Sequence, residues 1–154
     1  MADTLIRRIT DSAELYHRLV ILVAPPGAGK TAALQAVHKR TAAPLINVNF
    51  ELTRCLLEFT GRQRALQVPR LLADIVSASN GDVVLLDNIE VLFDVTLKQD
   101  PLRLLQGISR NKTVVANWSG SVDNGHMIYA TPDHPEYRSY PLRDFVLVKP
   151  EDAE

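Results

Sequence analysis

The stretch from Leu19 to Thr31, reading Leu-Val-Ile-Leu-Val-Ala-Pro-Pro-Gly-Ala-Gly-Lys-Thr, constrains this chain more than any other. Residues 19–23 are all apolar, without the polar gaps of an amphipathic helix, and read as a short strand buried on both faces. A Pro-Pro-Gly-Ala-Gly loop follows, and then Lys30-Thr31 open a helical stretch over residues 31–40. Strand, glycine loop and helix in this order are the parts of a phosphate-binding P-loop.

The residue types suit that chemistry. Gly27 and Gly29 let the backbone turn its N–H groups inward, and those donors together with a helix N-terminus cradle a polyphosphate. The cradle is expected to run through Pro26, Gly27, Ala28, Gly29, Lys30, Thr31 and Ala32 and to hold ATP. Lys30 would reach the β- and γ-phosphates as a point charge, and the Thr31 hydroxyl would sit on Mg²⁺. Ala24 stands where the usual motif has its first glycine. A residue before proline is held extended, and alanine takes that geometry without strain.

At 154 residues the chain is the size of one domain, expected to span residues 1–149, with a frayed acidic tail over 150–154. A net charge of −1 gives no global basic field for nucleic acid or an anionic membrane. The single cysteine, Cys55, has no partner for an internal disulfide, so a cytoplasmic setting is the default. No run approaches the roughly 18 apolar residues of a membrane span.

Along the chain, residues 11–18 read as a short helix capped by Asp11 or Ser12. Residues 45–50 read as a second strand, and residues 65–79 as the clearest amphipathic helix, with Val68, Leu71, Leu72, Ile75 and Val76 at helical spacing. Pro69 fits near the first turn of that helix. Residues 82–86 give a third buried strand, closed by Asp87-Asn88. Asp100-Pro101 opens a helix over 102–109, with aspartate as cap and proline at the first position. Residues 113–116 give a fourth strand, ending in Asn117. Asp123-Asn124-Gly125 reads as a hairpin turn with its return arm over 126–130. Residues 131–141 look irregular, and 145–148 form a last strand. The alternation implies an α/β fold: a mainly parallel sheet with helices on both faces and a β-hairpin insertion before the last strand. Ligands of such sheets bind at the carboxyl ends of the strands, where the P-loop, Asp87-Asn88 and Asn117 all fall.

Asp87 closes an apolar strand as the Mg²⁺-associated aspartate of P-loop NTPases does, so Thr31 and Asp87 are the candidate metal residues. Many AAA+ enzymes follow that aspartate with a glutamate; this chain has Asn88, which can orient water but cannot take its proton. Glu90 and Glu51 are the candidate water-activating carboxylates. Asn117 resembles the sensor residue of AAA+ proteins, on a strand expected between the P-loop strand and the Asp87 strand. Arg110, Arg138 and Arg143 are candidates for an arginine acting on a neighbour's site. Arg54, Arg62, Arg64 and Arg70 cluster before and along the long helix, as a solvated edge or as a face for DNA backbone or an acidic partner. The four histidines lack metal-ligand spacing. Trp118, Tyr129, Tyr137 and Tyr140 read as local packing or a docking patch, with packing favoured.

Taken together, residues 24–31, 85–90, Asp100-Pro101-Leu102-Arg103-Leu104-Leu105-Gln106, Ser109-Arg110-Asn111 and His134-Pro135-Glu136-Tyr137-Arg138 resemble the BrxF family, the small P-loop proteins of type III BREX phage-defence systems. The resemblance covers nearly the whole chain. It implies an AAA-type core without a C-terminal helical lid, a bacterial cytoplasmic setting, and work alongside a large ATPase, a DNA methyltransferase and a phosphatase-like protein. Three functions follow as expectations. The first is an ATP-binding, ATP-hydrolysing subunit of the defence system, completed by a homo-oligomer or by the large ATPase. The second is a non-hydrolysing nucleotide switch, and the third is a small P-loop kinase.

Overall fold

Period-two alternation on the buried strands decides how the layers assemble. The computed structural model describes residues 1–150. Its main sheet contains β1 (Leu19–Ala24), β2 (Leu45–Asn47), β3 (Val83–Asp87), β4 (Thr113–Ser119) and β8 (Val146–Val148), in the order β2-β3-β4-β1-β8. Every pairing in it is parallel. The strand carrying Asn117 does lie between the P-loop strand and the Asp87 strand.

Leu19, Ile21 and Val23 of β1 share one buried cluster with Leu86, Val114, Ala116 and Trp118. That face is covered by α3 (Val48–Leu56), α4 (Gly61–Ala78) and α5 (Pro101–Ile108). Val20 and Leu22 point the other way, with Leu85 and Val115, into a smaller cluster under α1 (Ala2–Asp11) and α2 (Lys30–Thr41). All six residues of β1 are buried, as a central strand covered on both faces requires. Among the described residues no α-helix follows α5.

A second sheet, β5 (Ser121–Asp123), β6 (His126–Tyr129) and β7 (Arg138–Pro141), is antiparallel and inserted between β4 and β8. Asn124 and Gly125, at φ 49° and 73°, form the expected hairpin turn. The insertion is locked down through aromatics. Trp118 is fully buried and its Nε1 donates to Ile128 O at 3.2 Å. Phe93 stacks on Tyr129 with centroids 3.6 Å apart, and Tyr140 donates to Asp100 Oδ1 at 2.7 Å. Burial and that carboxylate push the Tyr140 hydroxyl well above its usual range. Trp118, Tyr129 and Tyr140 are therefore packing residues.

Several expected elements differ. The first α-helix lies at Ala2–Asp11, ahead of residues 11–18, and within that expected range only a 3-10 turn, Ser12–Glu14, forms. Asp11 is its last residue, and the Ser12 hydroxyl donates to Ile9 O rather than capping a new helix. The second strand stops at Asn47, because the Asn47 side chain accepts from Phe50 N at 3.0 Å and opens α3 over residues expected to be strand. Residues 138–141, expected to be irregular, form β7 by pairing with β6. β4 runs two residues past Asn117, to Ser119. Helix α4 starts at Gly61 behind a Thr60–Gln63 capping box, which leaves Pro69 in its interior instead of its first turn. A proline there frees the carbonyl four residues earlier. Gln99 Nε2 donates to that carbonyl, Ala65 O, at 2.7 Å. The expected acidic tail lies, from residue 151 onward, outside the described residues.

Candidate functional site

Period two also builds the site. Asp87 falls in step with Leu85, and Asn117 with Val115, so both polar side chains project from the carboxyl ends of β3 and β4 on the face that α2 covers. The P-loop connects β1 to α2 at that same end. Gly27 and Gly29 have φ of 81° and 90°, and a Cβ at either would meet nothing within 4 Å. The left-handed backbone, not crowding, is what demands glycine there.

Lys30 is buried, at 8% exposure, with its Nζ donating to Ala24 O and Pro25 O, each at 2.9 Å. Burial pushes its ammonium down from the usual lysine range, while the Glu90 and Asp87 carboxylates oppose that shift. Thr31 Oγ1 donates to Asp87 Oδ2 at 2.7 Å. Asp87 Oδ1 accepts from Asn117 Nδ2 at 3.0 Å and from Asn88 N at 2.9 Å. A carboxylate only accepts, so the Asn117 amide must turn its NH₂ toward Asp87. That leaves Asn117 Oδ1 as a buried acceptor with no partner among the described residues. An orphan of this kind costs about 1–3 kcal/mol unless a ligand or water supplies a donor.

Asn88 sits at φ 55°, a left-handed geometry that asparagine tolerates better than most residues. Its carbonyl accepts from Asn49 N, tying the end of β3 to the start of α3. Glu90, in the 3-10 turn Ile89–Phe93, accepts from Ser119 Oγ at 3.0 Å. It borders a cleft of about 530 Å³ whose walls include Pro25 and Pro26 of the P-loop, Ser119, Tyr129 and Glu136. Burial, then the Glu136 and Glu90 charges, push the Tyr129 hydroxyl up to about 12. Ser119 was not singled out from the sequence. Its signal was available: two residues after Asn117 on one strand, it shares that residue's face.

Other expected site residues lie apart. Glu51 sits in the first turn of α3, not at a strand end, and pairs with Arg54 at 2.6 Å. Arg110 precedes β4, at the amino end of the sheet, with its guanidinium 4.8 Å from the Tyr16 ring centroid. A strand of this length puts that end about 20 Å from the P-loop. Arg138 donates to Gln99 O at 2.7 Å, and Arg143 is exposed.

The glycine loop with Lys30, a hydroxyl–carboxylate pair and an unpartnered amide oxygen thus lie together at the strand ends. Among the described residues no group of three or more His, Cys, Asp or Glu side chains is placed to hold a metal. A Mg²⁺ ion commonly binds one carboxylate and completes its shell with phosphate oxygens and water, and the Thr31–Asp87 pair fits that donor set. No described helix is long and apolar enough to cross a membrane. No curated protein matches the chain. Among solved structures, C. elegans PCH-2 is similar at a TM-score of 0.45 and 16% identity, with 80% of this chain covered. The chain spans only 38% of that protein's length. Residues 20–121 match the family described as ATPase family associated with various cellular activities (AAA), and the chain belongs to that family.

Proposed function

We propose that this chain is an ATP-binding and Mg²⁺-dependent ATP-hydrolysing subunit whose turnover is completed by self-association or by a partner. The observation that carries the reading is the pair of hydrogen bonds onto Asp87, from Thr31 at 2.7 Å and Asn117 at 3.0 Å. They join the ends of β3 and β4 and the P-loop helix at one carboxylate. Pro26 to Ala32 would wrap the phosphates, with the Lys30 ammonium leaving two neutral carbonyls for phosphate oxygens. Thr31 Oγ1 and Asp87 would hold Mg²⁺, which when bound supplies charge neutralisation at the phosphates. Asn117 Oδ1, lacking a donor, would accept one from the attacking water. Glu90 supports the role of base better than Glu51, because it borders the P-loop cleft while Glu51 is engaged with Arg54.

The resemblance to the BrxF family supports a place in a type III BREX phage-defence system, with the large ATPase as the partner. Steady-state turnover with Mg²⁺ across protein concentration, for the wild type and Lys30→Ala, tests the enzymatic part. Lys30-dependent turnover rising faster than linearly supports completion by self-association, and replacing Arg110, Arg138 and Arg143 in turn sorts the arginines. Retained ATP affinity in Lys30→Ala overturns the site. Phage plating on cells carrying Lys30→Ala tests the defence role.

Asn88 favours a second reading, a nucleotide switch that binds without hydrolysing. It stands where many related enzymes have their base, and its left-handed backbone serves a structural tie to α3. Nucleotide binding without Lys30-dependent turnover at any protein concentration would favour the switch.

A further inference from the structure

The face of the molecule away from α2 carries a feature that nucleotide chemistry does not use. A groove of about 820 Å³ runs between α3, α4 and the turn Val95–Leu97. Its apolar wall includes Leu56, Ala65, Val91 and Leu97, and Leu57 and Leu66 stand on its rim. Leu57 and Leu66 are 72% and 75% exposed, the largest values for any large apolar side chain among the described residues. Val95 is 54% exposed, between two groove residues. Scattered exposed leucines need no explanation, but Leu57, at the end of α3, and Leu66, on α4, both line one concavity.

Charge states what the groove fits. Arg62, Arg64 and Lys98 line it, against one carboxylate, Asp94. Asp94 Oδ1 is already occupied, accepting from Thr96 N and Thr96 Oγ1. Neither Arg62 nor Lys98 makes an ion pair among the described residues. On a chain of net charge −1, this local excess of positive charge around an apolar floor is a departure from the whole. A phosphate backbone would use the cations but not the leucines, and a neutral amphipathic helix would use the leucines but not the cations. An acidic amphipathic segment uses both.

We propose that this groove docks an acidic amphipathic segment of a partner protein, with large apolar side chains between Leu57 and Leu66 and flanking aspartates or glutamates opposite Arg62 and Lys98. The proposal is independent of the nucleotide reading, since none of these residues touches the P-loop cleft.

The test is a random-peptide display selection against the full chain, followed by fluorescence anisotropy on the enriched peptides as synthetic ligands. The expected peptides carry net negative charge and apolar residues at helical spacing, and bind more weakly as salt rises. Leu57→Glu or Leu66→Glu should weaken binding by about tenfold or more, and Arg62→Glu or Lys98→Glu by about fivefold. These side chains are exposed, so the variants should keep the wild-type circular dichroism and melting curve; Arg62→Ala serves where a glutamate disturbs the fold. Four results would each overturn the proposal: no enrichment, enrichment of basic or uncharged peptides, binding insensitive to the four variants, or displacement of the peptides by a short DNA duplex. A concentration-dependent dimer that Leu57→Glu dissociates would also overturn it, by assigning the groove to a second copy of this chain.

Discussion

Two lysines, one at each end of the same sheet, are both surrounded by carbonyl oxygens, and they do opposite work. Lys112 precedes β4 at the amino end. Its Nζ donates to Val76 O at 3.1 Å and also to Ser79 O, with Ser79 Oγ at 3.4 Å. These acceptors lie at the C-terminal end of α4, where the macrodipole favours a cation and where Val76 O also accepts from Ser79 N and Ser79 Oγ. Lys30 has two carbonyl partners as well, but it sits at the amino end of α2, where the macrodipole disfavours it, and close to two carboxylates it does not hydrogen-bond. The first arrangement satisfies a helix end. The second leaves a desolvated cation at a helix start, where capping a helix end does not account for it. A lysine among carbonyls thus meets a favourable or an unfavourable macrodipole according to which end of a helix it sits at.

The comparison is sharpest when each lysine is removed. Lys30→Ala should reduce affinity for Mg²⁺-ATP by about 100-fold or more, roughly 2.7 kcal/mol, while the melting temperature shifts by no more than about 2 °C. Calorimetric titration and thermal melts on one preparation check both halves. A large loss of stability with retained affinity would invert the assignment.

Asn117→Ala probes the same end with less charge at stake. It removes the hydrogen bond to Asp87 but also removes a buried acceptor that has no partner, so the stability terms oppose each other and the net change should stay near zero. Turnover should fall by about tenfold and nucleotide affinity by much less, read from kcat and KM separately. A stability loss with unchanged kcat would reduce Asn117 to a packing residue.

Lys112→Ala should cost about 1–2 kcal/mol of stability, a drop of roughly 4 °C in melting temperature, with nucleotide affinity unchanged. Loss of affinity there would show that the two ends of the sheet are coupled, and that Lys112 is more than a helix-end partner.

That division was legible in the sequence only at the carboxyl end. The P-loop is contiguous, and Asp87 and Asn117 each close an apolar run, so a parallel sheet brings them together without any knowledge of loops. Glu51 could not be placed, because its position depended on where β2 ends. Residues 45–50 alternate well enough to read as strand, and only the Asn47 side chain, bonded to Phe50 N, turns them into a helix start. At the N-terminus the same ambiguity ran the other way: Asp11 and Ser12 suit a helix start by composition, yet Asp11 ends the α-helix and Ser12 opens only the one-turn 3-10 segment Ser12–Glu14. β7 was hidden because, among the described residues, it pairs only with β6 across the loop 130–137, and proline and tyrosine content does not announce that pairing. The exposed groove was invisible for a related reason: Leu57 and Leu66 look like core residues until the packing leaves them outside.

The smallest expected effect concerns a second structural donor, Gln99, and it tests whether the frame's polar groups act through satisfied carbonyls as Lys112 does. Pro69 has no N–H for Ala65 O, and Gln99 Nε2 takes its place at 2.7 Å. Gln99→Ala should therefore cost about 1 kcal/mol in the wild type. In a Pro69→Ala background the restored backbone N–H serves the same carbonyl, and Gln99→Ala should cost about half as much or less, a coupling of roughly 0.5 kcal/mol in a double-mutant cycle followed by denaturant melts. Nucleotide affinity should be the same in all four proteins. Equal cost in both backgrounds would mean that Gln99 acts through its other contact, Leu97 O, and that the interior proline is accommodated without a substitute donor.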